Sequence, residues 1–141
     1  MENCKSLLTL DEREKLIEEA KKARNRSYAP YSLFNVGSSV LTSDNKVYSG
    51  FNIENASFSV CICAERTAMV SAILAGSTQF KAVCVVSSSD GYCYPCGACR
   101  DFISEFSRTQ KDDVIVLVVK ENGEFREHYL KDLLPYGFVL K

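Results

Sequence analysis

The sequence predicts an α/β fold, a three-layer sandwich whose mixed five-stranded sheet carries helices on both faces. Three observations predict it. Segments with a 3.6-residue apolar period alternate with strand-patterned ones, in the order helix, strand, strand, helix, strand, helix, strand, strand, short helix. Two of the strand segments, 82–86 and 114–119, are continuous apolar runs, as expected of strands covered on both faces. Two of the helical segments open with cysteine motifs and come after strands, which brings their N-termini to one edge of the sheet, where such folds hold ligands. At 141 residues the chain reads as one domain, 1–141, around a single core, without repeats, linkers or low-complexity stretches.

Taken in order, residues 1–8 carry no pattern and are expected to fray. Thr9, Leu10, Asp11 and Glu12 form a capping box, in which the hydroxyl and the carboxylate each satisfy an N–H that a helix start leaves unpaired. The helix behind it repeats Leu16, Ile17, Ala20 and Ala23 along one stripe and turns its charges to water. Pro30 ends any helix before it, and Tyr28-Ala29-Pro30-Tyr31-Ser32 reads as a stiff loop. Residues 34–42 and 47–51 are strands joined by a turn at 43–46. Asn52, Ile53, Glu54 and Asn55 then leave the strand end. They are either an ordinary turn or a loop that holds a substrate, and spacing leaves the two readings level.

A helix over 63–75 stops at Gly76, a C′ residue. The strand over 81–87 holds Cys84 as a small core residue, and the loop 88–94 delivers Pro95. Proline is tolerated at a helix start because the N–H it lacks has no partner there. Phe102, Ile103 and Phe106 form the apolar face of the helix that follows. Asn122-Gly123 is the strongest hairpin signal, pairing 114–119 with 125–129, and Pro135 stops a short helical turn at 130–134.

Chemistry concentrates in Cys63-Ala64-Glu65-Arg66 and Pro95-Cys96-Gly97-Ala98-Cys99-Arg100. A thiol in the first turn of a helix meets unpaired N–H groups and the positive end of the dipole, and both favour the thiolate. Cys96 and Cys99 are three apart, so one face of a turn presents both sulfurs, and Cys63 completes a set of three. Zinc takes such ligands tetrahedrally, and three protein ligands leave a fourth position open for water, the mark of a catalytic site. By itself Cys96-x-x-Cys99 also fits a redox pair or half of a structural knuckle. A knuckle needs a fourth ligand, however, and the only histidine, His128, lies far off in a strand.

Glu65, two residues after Cys63, is the candidate for moving protons beside the open position, and the pattern resembles that of the zinc-dependent nucleobase deaminases. Three thiolates outweigh the charge of the ion and weaken it as a Lewis acid. Arg66, one helical turn beyond Cys63, is the expected donor that draws charge off the sulfurs, the other reading being a solvated ion pair. Arg100 reads as structural.

Composition narrows the partners. A net charge of −1 argues against a polyanion, so neither DNA nor RNA is expected as a partner, and a small molecule fits better. No apolar run reaches membrane-spanning length, and the first residues lack a secretory apolar core, so no membrane partner is expected. Seven cysteines, an odd number without such a leader, point to reduced thiols and a cytoplasmic setting.

Phe51-Asn52-Ile53-Glu54-Asn55-Ala56, together with the two cysteine motifs, resembles the free-nucleoside cytidine deaminases of the small homotetrameric kind. The likeness runs over residues 27–138, with Tyr28-Ala29-Pro30-Tyr31-Ser32-x-Phe34 and Leu133-Leu134-Pro135 in register. It implies hydrolytic deamination of cytidine and 2′-deoxycytidine to the uridine forms with release of ammonia, a step of pyrimidine salvage. It implies one Zn2+ per subunit on Cys63, Cys96 and Cys99, with Glu65 as the catalytic carboxylate. It further implies that Asn52 and Glu54 hold the ribose hydroxyls, that Phe34 lies along the nucleoside and that Ala64 contacts the substrate. Phe138, in the apolar tail 136–141, matches an aromatic that reaches a neighbouring subunit, so the homotetramer would share its active sites. Asp101 stands where glutamine is expected and Cys61 where glycine is frequent. The blasticidin S deaminases share the zinc motifs but not the Asn52-x-Glu54-Asn55 stretch. Two other readings stay open: a deaminase of nucleotides or polynucleotides, and a structural zinc module in which Glu65 has no task.

Overall fold

A computed structural model describes residues 6–140. Helix α1 (Leu10–Arg24) leads into the hairpin β1 (Val36–Thr42) and β2 (Val47–Phe51). A 3-10 turn (Phe58–Val60) precedes α2 (Ala64–Leu74), and then follow β3 (Phe80–Ser87), α3 (Gly97–Ser107), β4 (Ile115–Val119), β5 (Phe125–Tyr129) and the single turn α4 (Leu130–Leu133). The sheet runs β2-β1-β3-β4-β5. Only β3 and β4 are parallel, because α3 carries the chain back across the sheet between them; the other three pairs are antiparallel.

The core is two layers rather than one. Side chains alternate across a strand, so Val83 and Val85 of β3 face α2 and α3 while Ala82, Cys84 and Val86 face α1. On the first face Ala68, Met69 and Ala72 of α2 and Ile103 of α3 meet Val116 and Val118. On the second, Leu16 and Ala20 meet Leu41 and Leu117. Each large side chain so buried is worth about 1.5–3 kcal/mol. Cys84 is fully buried, and burial pushes its thiol up to about 12, as suits a core residue.

The capping box forms as expected: Glu12 N–H donates to Thr9 Oγ1 at 3.1 Å and Thr9 N–H to Glu12 Oε1 at 2.9 Å. Residues 6–8, expected to fray, instead join the fold. Leu8 is buried, and the Glu127 carboxylate of β5 accepts from Ser6 Oγ at 2.8 Å and Leu7 N–H at 2.6 Å. They cover part of the sheet face beyond α1, which packs on β1, β2 and β3. Residues 1–5, and Cys4 with them, lie outside the described residues.

Two glycines let helices approach the hairpin closely. A Cβ on Gly37 of β1 would meet Ala20 O of α1 at 2.0 Å, and one on Gly50 of β2 would meet Ala68 N of α2 at 2.3 Å. Thr67 Oγ1 ties α2 down further by donating to Phe51 O at 2.8 Å. Among the described residues no helix is long and apolar enough to cross a membrane.

Candidate active site

The starts of α2 and α3 meet at one end of the sheet. Cys63 is the N-cap of α2, with extended backbone angles of φ −75 and ψ 153, so the helix begins one residue later than the sequence pattern suggests. Cys96 is the N-cap of α3, and Cys99 lies in its first turn. Pro95 stands before the cap rather than at the first helical position, and its carbonyl accepts from Arg100 Nε at 2.7 Å. Arg100 Nη1 also reaches Leu133 O at 2.8 Å, so this arginine ties α3 to α4, as its structural reading requires.

The three sulfurs lie within 4.8 Å of one another, the one group of three or more ligand-type side chains among the described residues that could hold a metal. Cys63 Sγ and Cys96 Sγ are 3.8 Å apart. That separation matches the edge of a tetrahedron with metal–sulfur bonds of about 2.3 Å, so the cluster fits zinc without rearrangement of this pair. Arg66 Nη2 donates to Cys63 Sγ at 3.5 Å, while its buried Nε has no partner among the described residues. The Cys99 thiol, Arg66 and Cys96 all donate towards Cys63 and bring its pKa down to about 5. Cys99, as the partner that keeps the proton, is pushed up.

Glu65, in the first turn of α2, is 4% exposed. Burial pushes its carboxyl up to about 7, and the nearby Cys63 charge adds to the effect. A carboxyl poised there both accepts and returns a proton at neutral pH.

A cavity of about 270 Å³ opens onto this cluster. Phe34, Asn52, Glu54, Ala64 and Glu65 line it together with Cys63 and Cys96. The Asn52 amide accepts from Val36 N–H at 2.9 Å through Oδ1 and donates to Phe34 O at 2.9 Å through Nδ2. Glu54 reaches the Tyr31–Ser32 backbone, and Ser32 followed by the two N–H groups holds its carboxyl below the usual range. The stretch after β2 is therefore both a structural turn and a cavity wall. Phe138 is not brought to this cavity: it is 75% exposed and lies beside α3 and α4.

Sequence reasoning missed several wall residues. Phe58 comes from the 3-10 turn, which carries no periodic signal, and Cys61 and Ile62 follow it. Ile62 pairs with Ile53 across an isolated bridge, which folds residues 53–62 back towards the site. Cys93 and Tyr94 also line the cavity, and their position just before Pro95-Cys96 was the available signal. Burial raises the Cys93 thiol pKa. His128, read as remote, bonds through Nε2 to the Tyr94 hydroxyl at 3.0 Å and so stands directly behind that wall.

Residues 10–117 match the family described as "Cytidine and deoxycytidylate deaminase zinc-binding region". The chain is 44% identical over 125 residues to a cytidine deaminase of Sporosarcina psychrophila, covering 89% of this chain and 90% of the relative. It is 40% identical over 126 residues to a probable cytidine deaminase of Dictyostelium discoideum, covering 89% and 82% respectively. Among solved structures, the cytidine deaminase from Burkholderia pseudomallei is similar with a TM-score of 0.83 at 43% identity, over 93% of this chain and 100% of that one.

Proposed function

The chain belongs to the cytidine and deoxycytidylate deaminase family, and from that premise we propose that it is a zinc-dependent cytidine deaminase of pyrimidine salvage. It hydrolyses cytidine and 2′-deoxycytidine to uridine and 2′-deoxyuridine and releases ammonia. The observation that carries this reading is the buried Glu65 carboxyl beside a three-cysteine cluster, at the end of a cavity of nucleoside scale.

Cys63, Cys96 and Cys99 hold one Zn2+, which when bound supplies the Lewis acidity that makes water a nucleophile at neutral pH. Glu65 takes one proton of the attacking water and passes it to N3 of the cytosine ring, then takes the second from the oxygen now bound to C4 and gives it to the departing ammonia. Positioned proton transfer of this kind contributes about 10²–10⁴-fold. Arg66 donates to the cluster through Cys63 and offsets the excess negative charge of three thiolates. Asn52 and Glu54 take the ribose hydroxyls, Phe34 lies along the nucleoside, and Ala64 meets the substrate at the start of α2.

The assembly we infer is a cytoplasmic homotetramer of one-domain subunits. In it Phe138 crosses to a neighbour's cavity, and its exposure in the isolated chain supports that role. A polynucleotide substrate is disfavoured by the net charge of −1. Ammonia release from cytidine, 2′-deoxycytidine, cytidine monophosphate and an oligodeoxycytidine, with zinc quantified alongside, tests the reading. The two nucleosides should turn over best, and Glu65→Gln should keep its zinc while losing about 10²–10⁴-fold in kcat. More than about a tenth of normal kcat in that variant would remove Glu65 from proton transfer.

A further inference from the structure

The Glu54 carboxylate does not stand free in the cavity wall. Its Oε1 accepts from Tyr31 N–H at 3.0 Å and Ser32 N–H at 3.1 Å, and its Oε2 accepts from Ser32 Oγ at 2.6 Å. An ionised carboxylate offers about four acceptor positions. Three are filled by the loop, and Oε2 keeps one. The Ser32 hydroxyl oxygen in turn accepts from Phe34 N–H at 3.0 Å, which leaves its hydrogen to Glu54.

Backbone donors at Oε1 alone would fix one oxygen and let the carboxylate plane swing about it. The hydroxyl on Oε2 fixes the second oxygen, and with it the direction of the one remaining lone pair. Leu33, between Ser32 and Phe34, has φ 59, a left-handed conformation that a leucine keeps only when its neighbours hold it there. The loop is therefore set in place by its partners, Glu54 on one side and the Asn52 amide on the other.

We propose that Ser32 is a positioning residue for nucleoside recognition, whose hydroxyl orients the Glu54 carboxylate so that its one remaining acceptor position meets a sugar hydroxyl. The proposal rests on the reading of Glu54 as a ribose ligand. Ser32 touches neither the sugar nor the reacting atoms; it acts through Glu54.

The test compares Ser32→Ala, Ser32→Thr and Glu54→Gln on cytidine and on 2′,3′-dideoxycytidine, which has the same base and no ring hydroxyls. A hydrogen bond to a charged group is worth roughly 10- to 100-fold, and Ser32→Ala should raise the cytidine KM by about that factor with kcat within about threefold. On the dideoxy substrate kcat/KM should stay within about threefold of wild type, because there is no hydroxyl for Glu54 to meet. Ser32→Thr, which keeps the hydroxyl, should restore the cytidine KM. Ser32→Cys, a much weaker donor, serves as the second removal variant if the alanine form does not fold, and should show the same split.

Equal losses on both substrates overturn the proposal, since they would mean a loop that merely collapses. A normal cytidine KM in Ser32→Ala with an impaired Glu54→Gln also overturns it, while leaving Glu54 as the sugar ligand. A normal cytidine KM in Glu54→Gln overturns the reading of Glu54 itself.

Discussion

Glu54 and Glu65 line one cavity, and their surroundings push them in opposite directions. Glu54 accepts from Ser32 Oγ and two N–H groups and is held below the usual carboxylate range, which suits the charged acceptor proposed for it. Glu65 is buried and pushed up to about 7, which suits the proton exchange proposed for it. Such a divergence of neighbouring carboxyls separates a binding role from an acid–base role. A depressed folded pKa contributes stability that is complete above the ordinary glutamate value of about 4.3 and is lost as pH falls through the lower folded value. The urea midpoint of wild type should therefore exceed that of Glu54→Gln at pH 6, and the gap should close as pH drops below about 4. A gap that stays constant from pH 6 to pH 3 would place the effect in shape rather than charge. At this scale the clustering of the three thiols was legible in the sequence because two short motifs at helix starts carry them. The Ser32 hydroxyl was not, because its partner lies 22 residues away and no local pattern joins them.

Elements were legible where a local signal marks them, as with the Thr9–Glu12 cap of α1 or the apolar run that became β3. They were not where a distant partner decides. Ser6, Leu7 and Leu8 are ordered by Glu127 of β5, and nothing around residues 6–8 announces that strand. Gly50 is a third case: it reads as an ordinary strand residue, yet α2 lies on its bare Cα. Gly50→Ala should lower stability by about 1–3 kcal/mol, the usual cost of overpacking, as read by urea denaturation. Because the displaced helix carries Glu65 in its first turn, kcat should fall as well. Gly91→Ala, where the only nearby atom is a serine oxygen at 3.8 Å, serves as the control and should stay within about 0.5 kcal/mol. Normal kcat in a destabilised Gly50→Ala would show that α2 absorbs the shift without moving its N-terminus.

For the whole molecule, the two-faced sheet was predictable from the alternation of elements, and the sequence also marked the apolar tail. Tyr136, Phe138, Val139 and Leu140 are exposed in the isolated chain, the kind of patch that marks a contact surface. Deleting residues 136–141 should raise KM and shift the sedimentation profile towards smaller species; a truncated chain with unchanged KM would dissociate the tail from catalysis. A further property of the whole chain follows from its helix starts. Where α2 and α3 begin, serine, threonine, asparagine or aspartate would ordinarily close the first turn, but Cys63 and Cys96 make no such bond. The cap position of each helix is thus given to a side chain whose partner comes from the other helix, Cys63 Sγ lying 3.8 Å from Cys96 Sγ, so the two first turns are held as one unit rather than two.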